Sequence, residues 1–312
     1  MSKLKELFLR HWALGLGAVF AVGVFCVWYF GYPQKMMTWE QSALFIWDRE
    51  YYEELTTQPG GWWIYLRSFI AQFFIHPMAG AAVLALISGL LLLLTYWLFR
   101  NLTPRRLRQK GICTAATFAI ALLPPLWLSG QFWHPKGCTD EEMHYDYLLR
   151  YARWQDIAEE GLRQEPRSVA CKNLVQLARY QTGQTREEEL FMTLAVSNHA
   201  LSDRTSAFIM SDVYFHTGLV NMSQRAAFEA MESIEDFNKS GRSLMRLTET
   251  NIVTGNYKVA LKYIALMDKT LFYRGWVRRI RPLAEDPERI ASNPAFSKLR
   301  QLYDNSKDHM FY

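Results

Sequence analysis

The sequence predicts an all-α fold: about three N-terminal transmembrane helices lead into a TPR-like α-helical repeat domain. Three observations predict it. The first 133 residues hold three apolar stretches of membrane-spanning length, and the rest shows helical periodicity cut by turn residues at near-regular intervals. Lys and Arg balance Asp and Glu one for one from residue 134 onward, so the whole formal excess of +5 lies in the first 133 residues. A basic excess confined to loops around apolar runs is a membrane-topology signal rather than a nucleic-acid footprint, and no nucleic-acid partner is expected.

The membrane domain is read as residues 1–133. Its first span covers 12–31, the roughly 20 uncharged residues a helix needs to cross a hydrocarbon core. The run ends in Trp28-Tyr29-Phe30-Gly31-Tyr32-Pro33, without the small-residue cleavage site of a signal peptide, so it reads as a retained anchor. The second span, 78–99, lies between Pro77 and Arg100. The third, 111–133, contains Pro124-Pro125, an interruption that membrane helices tolerate because neighbours re-satisfy the freed carbonyls. Small residues recur four apart at Ala13, Gly17 and Ala21, and again at Ala81, Ala85 and Gly89. Such stripes allow close helix contact, either between spans one and two or between two copies.

Between the first two spans, residues 39–76 read as two outer helices. Trp39 to Leu55 mixes acids with Leu44, Phe45 and Ile46 and reads as an amphipathic helix ended by Gln58-Pro59-Gly60-Gly61. Gly61 to His76 is rich in aromatic residues, with a single charge at Arg67, which suits a helix along or dipping into the membrane interface.

Orientation follows from Lys3, Lys5 and Arg10 before the first span and from Arg100, Arg105, Arg106, Arg108 and Lys110 between the second and third. Both basic segments belong on the cytoplasmic side. That makes the chain a multi-pass inner-membrane protein with a cytoplasmic N-terminus and, in a cell with two membranes, a periplasmic C-terminal domain, 134–312.

In that domain the helix-turn-helix beat falls at Ala152, Gly183, Gly218 and Gly255, in steps of 31, 35 and 37 residues. The tetratricopeptide period is about 34. The last copy fits best, with Leu247, Gly255, Tyr257 and Ala260 at the positions of the helix-A apolar residue, turn glycine, aromatic residue and small helix-B residue. Stacked pairs bury faces that no pair can bury alone and curve into a concave surface. Such a surface binds a protein partner; a compact bundle without a groove is the other arrangement compatible with the pattern.

No phosphate loop, nucleophile elbow, metal-binding H-E-x-x-H or C-x-x-C occurs, and no cofactor or metal site is expected. Cys138 and Cys171 would share an oxidising compartment and could pair as a disulfide. Arg274, Arg278, Arg279 and Arg281 around Trp276 form a basic group able to meet anionic headgroups or an acidic partner. Asp48 and Glu50 stand where a membrane glycosyltransferase places its catalytic acid, in the first outer loop.

Several segments resemble a known family. Glu40-Gln41 with Leu44-Phe45, Pro59-Gly60-Gly61 with Tyr65, and Gln72-Phe73-Phe74 with Pro77 and Gly80-Ala81 are similar to the opening of an uncharacterised domain-of-unknown-function family of multi-pass inner-membrane proteins from Bacteroides-type bacteria. Gly218 to Asn221, Asn238 to Arg242, Glu249-Thr250-Asn251 with Gly255, and Lys269 to Arg274 resemble its TPR-like C-terminal half. The resemblance covers nearly the whole chain and implies a short form with fewer spans, but no activity. The expected function is a membrane-anchored helical-repeat scaffold that contacts membrane lipids and presents a protein-binding surface on the periplasmic side. The alternative is a remnant or subunit of a membrane glycosyl- or lipid-modifying enzyme that uses Asp48 or Glu50.

Overall fold

A computed structural model of the 312-residue chain describes residues 2–104, 111–194, 201, 203–235 and 238–306. Arg105, Arg106, Arg108 and Lys110, and the side chains of Lys3, Lys5 and Arg10, lie outside what is described. The described residues are helical or irregular, with no strand among them. They form two compact units, Met1–Trp39 with Phe73–Pro135 and Glu40–Gln72 with Lys136–Tyr312. The segment between the first two apolar helices therefore belongs with the C-terminal helices and not with the apolar unit.

In the first unit, α1 (Ser2–Cys26) runs into a π-helical turn, Val27–Gly31, followed by α2 (Pro33–Glu40). Later come α5 (Pro77–Leu102), α6 (Gly111–Ala121) and α7 (Leu123–Gln131). Two stretches are long and apolar enough to span a membrane, Ala13–Gly31 and Pro77–Leu102. The third expected span is two short helices instead. Pro124 and Pro125 have no N–H for the carbonyls of Ile120 and Ala121, so the ladder restarts at Leu122. The small-residue stripes of α1 and α5 meet within the chain: a Cβ on Gly89 would stand 3.2 Å from the Ala21 methyl, and one on Gly17 would stand 2.9 Å from Leu93. The outward face of α5 exposes Leu86, Leu90, Leu94 and Leu98, four residues apart, while Leu84, Leu92 and Tyr96 are buried.

In the second unit, α3 (Arg49–Thr56) and α4 (Gly61–Ala71) precede a series of helix pairs. The pairs are α8 (Asp140–Arg150) with α9 (Trp154–Arg163), α10 (Val169–Gln181) with α11 (Glu187–Thr193), α12 (Arg204–His216) with α13 (Val220–Glu232), and α14 (Gly241–Val253) with α15 (Tyr257–Asp268). α16 (Arg274–Glu285), α17 (Glu288–Ser292) and α18 (Pro294–Ser306) follow. The four turns expected from the sequence share one geometry. Ala152, Gly183, Gly218 and Gly255 each take a positive φ, from 50° to 83°. One residue further on, the backbone N–H reaches back five residues to a carbonyl, as Leu219 does to Tyr214 at 2.9 Å and Asn256 to Asn251 at 2.8 Å. Satisfying the last carbonyls this way ends the first helix and reverses the chain. The core between pairs is apolar, with Ile157, Leu174, Leu177, Met210 and Val213 fully buried.

The expected amphipathic helix over 39–55 is broken. Residues 43–48 are irregular, and α3 starts only at Arg49 because the Asp48 carboxylate caps its first turn at the Glu50 N–H. Gly61 to His76 is α4 plus the 3-10 turn Gln72–Ile75. Ser68, Ile70 and Ala71 of α4 are buried, whereas Trp62 and Leu66, one turn apart, are exposed. Gly61 is required there, since a Cβ would fall 1.7 Å from the Leu55 carbonyl oxygen.

Candidate functional site: a charged inner face closed by the outer segment

The first helices of successive pairs place charges on one inner face. Arg242, Arg246 and Glu249 are spaced four and three residues apart on α14 and so share a side of that helix. Opposite them stand Asp212 on α12 and Asp146 on α8. The Arg242 guanidinium donates to Asp146 Oδ1 at 2.5 Å and to Asp212, and Arg246 donates to the other Asp212 oxygen and pairs with Glu249 at 2.9 Å. Each guanidinium also lies over an aromatic face, Arg242 above Phe208 at 5.0 Å and Arg246 above Phe215 at 3.6 Å.

The field of this network is legible in its titrating groups. Burial alone would raise the Asp212 carboxyl, but Arg242 and then Arg246 outweigh it and hold it below the ordinary carboxylate range. Burial likewise disfavours the charge on Arg242, yet Asp146 and Asp212 lift its affinity for the proton above the usual value. Glu249 is pushed up by burial, against the pull of Arg246 and an indole N–H from Trp276 on α16. His216 is pushed down, first by burial and then by Arg246.

The chain's own outer segment closes this face. Gln41 donates its amide to Asp146 Oδ2 at 2.7 Å and accepts from Arg242 at 3.0 Å, so one side chain satisfies both members of the pair. Glu40 accepts from the buried Tyr273 hydroxyl, and Arg150 stands 3.8 Å from its other oxygen. The irregular residues then dock by main chain, with the Leu44 N–H on the Lys239 carbonyl at 3.0 Å and the Trp47 N–H on the Lys269 carbonyl at 2.9 Å. Lys269 also pairs with Asp48, and Asn238 on the array donates to Ser68 of α4 at 3.0 Å. Leu44, Phe45 and Ile46 are 4%, 1% and 4% exposed. The space left between this segment and Thr270 to Tyr273 is about 10 Å³, no larger than one water needs.

The residues singled out in the sequence fall in different places. Asp48 is a helix cap and the ion-pair partner of Lys269, which, ahead of an opposing burial effect, lowers its affinity for a proton. Glu50 is exposed in the first turn of α3. Arg274, Arg278 and Arg279 are exposed on α16, with Arg281 half-buried; Arg274 and Arg281 both bind Asp268, at 3.0 and 2.9 Å. Trp276 is not part of that basic face, since its indole turns inward to Glu249. Cys138 and Cys171 are not joined in a disulfide; burial raises Cys138 to about 11, and Cys171 is completely buried in the core. His144 pairs with Glu160 at 2.7 Å, and His216 stacks edge-on against Trp154 at 5.5 Å.

The network itself went unnoticed in the sequence, although a signal for it exists. Asp212 is the one acid within Arg204 to His216, a stretch otherwise apolar or small at nearly every position. A lone carboxylate on a helix buried all round demands a cation.

No curated protein and no solved structure matches the chain. A family model matches residues 9–136 and 130–312, which together take in nearly every residue. The chain belongs to this family of unknown function, DUF6057.

Proposed function

We propose that this protein is a membrane-anchored helical-repeat scaffold whose TPR-like array, outside the cytoplasm, presents a protein-binding surface. In a two-membrane cell that compartment is the periplasm. The outward leucine stripe of α5 and the exposed Val19 and Val22 of α1 support the anchor, because a water-soluble protein would bury helices this apolar. The α6–α7 pair supplies the third crossing as a broken helix. The observation that carries the scaffold reading is the closed inner face: Gln41 of the chain itself satisfies the Asp146–Arg242 pair and Glu40 takes up the Tyr273 hydroxyl, so this face is already occupied. A partner then meets an outer face, and the guanidiniums of Arg278 and Arg279 suit an acidic one. Neither forms an ion pair among the described residues.

A photocrosslinking residue at Gly275, exposed one turn before Arg278 and Arg279 on α16, tests this in living cells. Reproducible capture of one protein, lost on Arg278→Glu with Arg279→Glu, is expected; the absence of any reproducible adduct, or capture indifferent to charge reversal, refutes it. Side is tested by maleimide labelling of Glu188→Cys, an exposed position. Labelling of intact spheroplasts is expected, and labelling only after permeabilisation would reverse the topology.

A further inference from the structure

We propose that the groove between the end of α1 and α7 is a phospholipid site, with one acyl chain in the groove and the phosphodiester at Lys35. The inference rests on the membrane reading above. The groove has a volume of about 440 Å³, within the roughly 300–1,000 Å³ of small-molecule sites. Phe20, Val27, Leu126 and Trp133 wall it, and its floor opens at Gly23 and Gly130. Nothing lies within 4 Å of where a Cβ on either glycine would stand. The π-helical turn Val27–Gly31 forms one rim, a local widening of the kind often found at binding sites.

What selects the occupant is the charge at one end. Trp133, a wall of the groove, packs against Trp28 at 5.8 Å and Tyr32 at 4.5 Å. The Lys35 ammonium lies 4.5 Å from the Trp133 ring and 4.9 Å from that of Tyr32. Among the described residues Lys35 has no carboxylate partner, so ring faces alone hold the ammonium and leave its N–H groups for an anion. Trp, Tyr and Lys together mark headgroup depth. An uncharged slot continuing from them takes a hydrocarbon tail, and the ammonium takes the phosphate of the same molecule.

The test uses the full chain purified in mild detergent from alkaline-washed membranes, with bound phospholipid measured by native mass spectrometry and phosphorus assay. One phospholipid per wild-type chain is expected to survive gel filtration. It should be lost in Gly23→Leu and Gly130→Leu, whose side chains grow into open space. Lys35→Ala should weaken retention by about fivefold while Lys35→Arg preserves it. Should the leucine variants melt below wild type, the Ala and Arg variants at position 35 decide alone. Wild type without lipid, equal retention in all variants, or a wild-type dimer that Gly130→Leu makes monomeric would each overturn the site. Release of the chain by the alkaline wash would instead refute the membrane reading itself.

Discussion

Replacing Arg242 by methionine removes the side chain on which three elements converge. Its guanidinium binds Asp146 on α8, Asp212 on α12 and Gln41 of the outer segment. Breaking a buried ion pair from one side costs about 3–5 kcal/mol because the other charge stays behind without its partner. Asp146 would keep only the Gln41 amide and Asp212 only Arg246, so the loss belongs near the lower end, about 3 kcal/mol. For a unit of this size each kcal/mol moves the melting temperature by about 2–4 °C, which gives a fall of about 6–12 °C. Circular dichroism in detergent would measure it. Tryptic cleavage at Arg49, which follows the docked segment and has an exposed side chain, should accelerate as the segment detaches. Adding Asp146→Leu and Gln41→Leu should recover most of the loss, since an apolar replacement leaves no orphaned charge. A melting temperature within about 2 °C of wild type, with cleavage at Arg49 unchanged, would refute the reasoning.

Other expectations follow from single positions. A Cβ on Gly241 would stand 2.3 Å from the Tyr273 ring, so Gly241→Ala should cost about 1–3 kcal/mol by displacing the hydroxyl that binds Glu40, measured by urea unfolding. Ala152 bears a φ of 50°, so Ala152→Gly should be the rare stabilising glycine, by about 0.5–1 kcal/mol, whereas Gly255→Ala should destabilise by a similar amount. Acid should weaken the fold in two stages. The folded state resists protonating His216, so stability falls as pH drops below the ordinary value of 6.5 towards the lower folded value, and His216→Gln should remove that stage. Asp212 contributes stability above its ordinary 3.8 that is lost as pH falls through its lower folded value, while Glu249, raised from 4.5, acts in the opposite sense. Cys138 and Cys171 should react with iodoacetamide only slowly at neutral pH until the protein unfolds, because burial holds both as thiols.

The two long apolar helices and the turns were readable because each is a local signal. Twenty apolar residues, or a glycine after a helical stretch, carry their meaning within one window, and Ala152, Gly183, Gly218 and Gly255 all proved to be left-handed turn residues. The third apolar stretch was legible too, but the two missing N–H groups of Pro124 and Pro125 divide it into two short helices. The inner face was illegible for a different reason. Gln41, Asp146, Asp212 and Arg242 are brought together from positions up to 201 residues apart, and charge alternation on an exposed helix looks the same in sequence as charge turned inward. Leu44-Phe45-Ile46 likewise reads as part of an amphipathic helix until the array supplies the Lys239 and Lys269 carbonyls that hold the segment out of a helix.

The central claim is that the outer segment is an integral part of the helical array. Amide hydrogen exchange of Leu44 and Trp47 in the intact protein tests it most directly, because their N–H groups donate to the carbonyls of Lys239 and Lys269. If the segment is built in, both amides exchange only through global opening of the unit, as slowly as those in α12 and α14. Exchange at the rate of an open loop, with α12 and α14 still protected, would contradict the account.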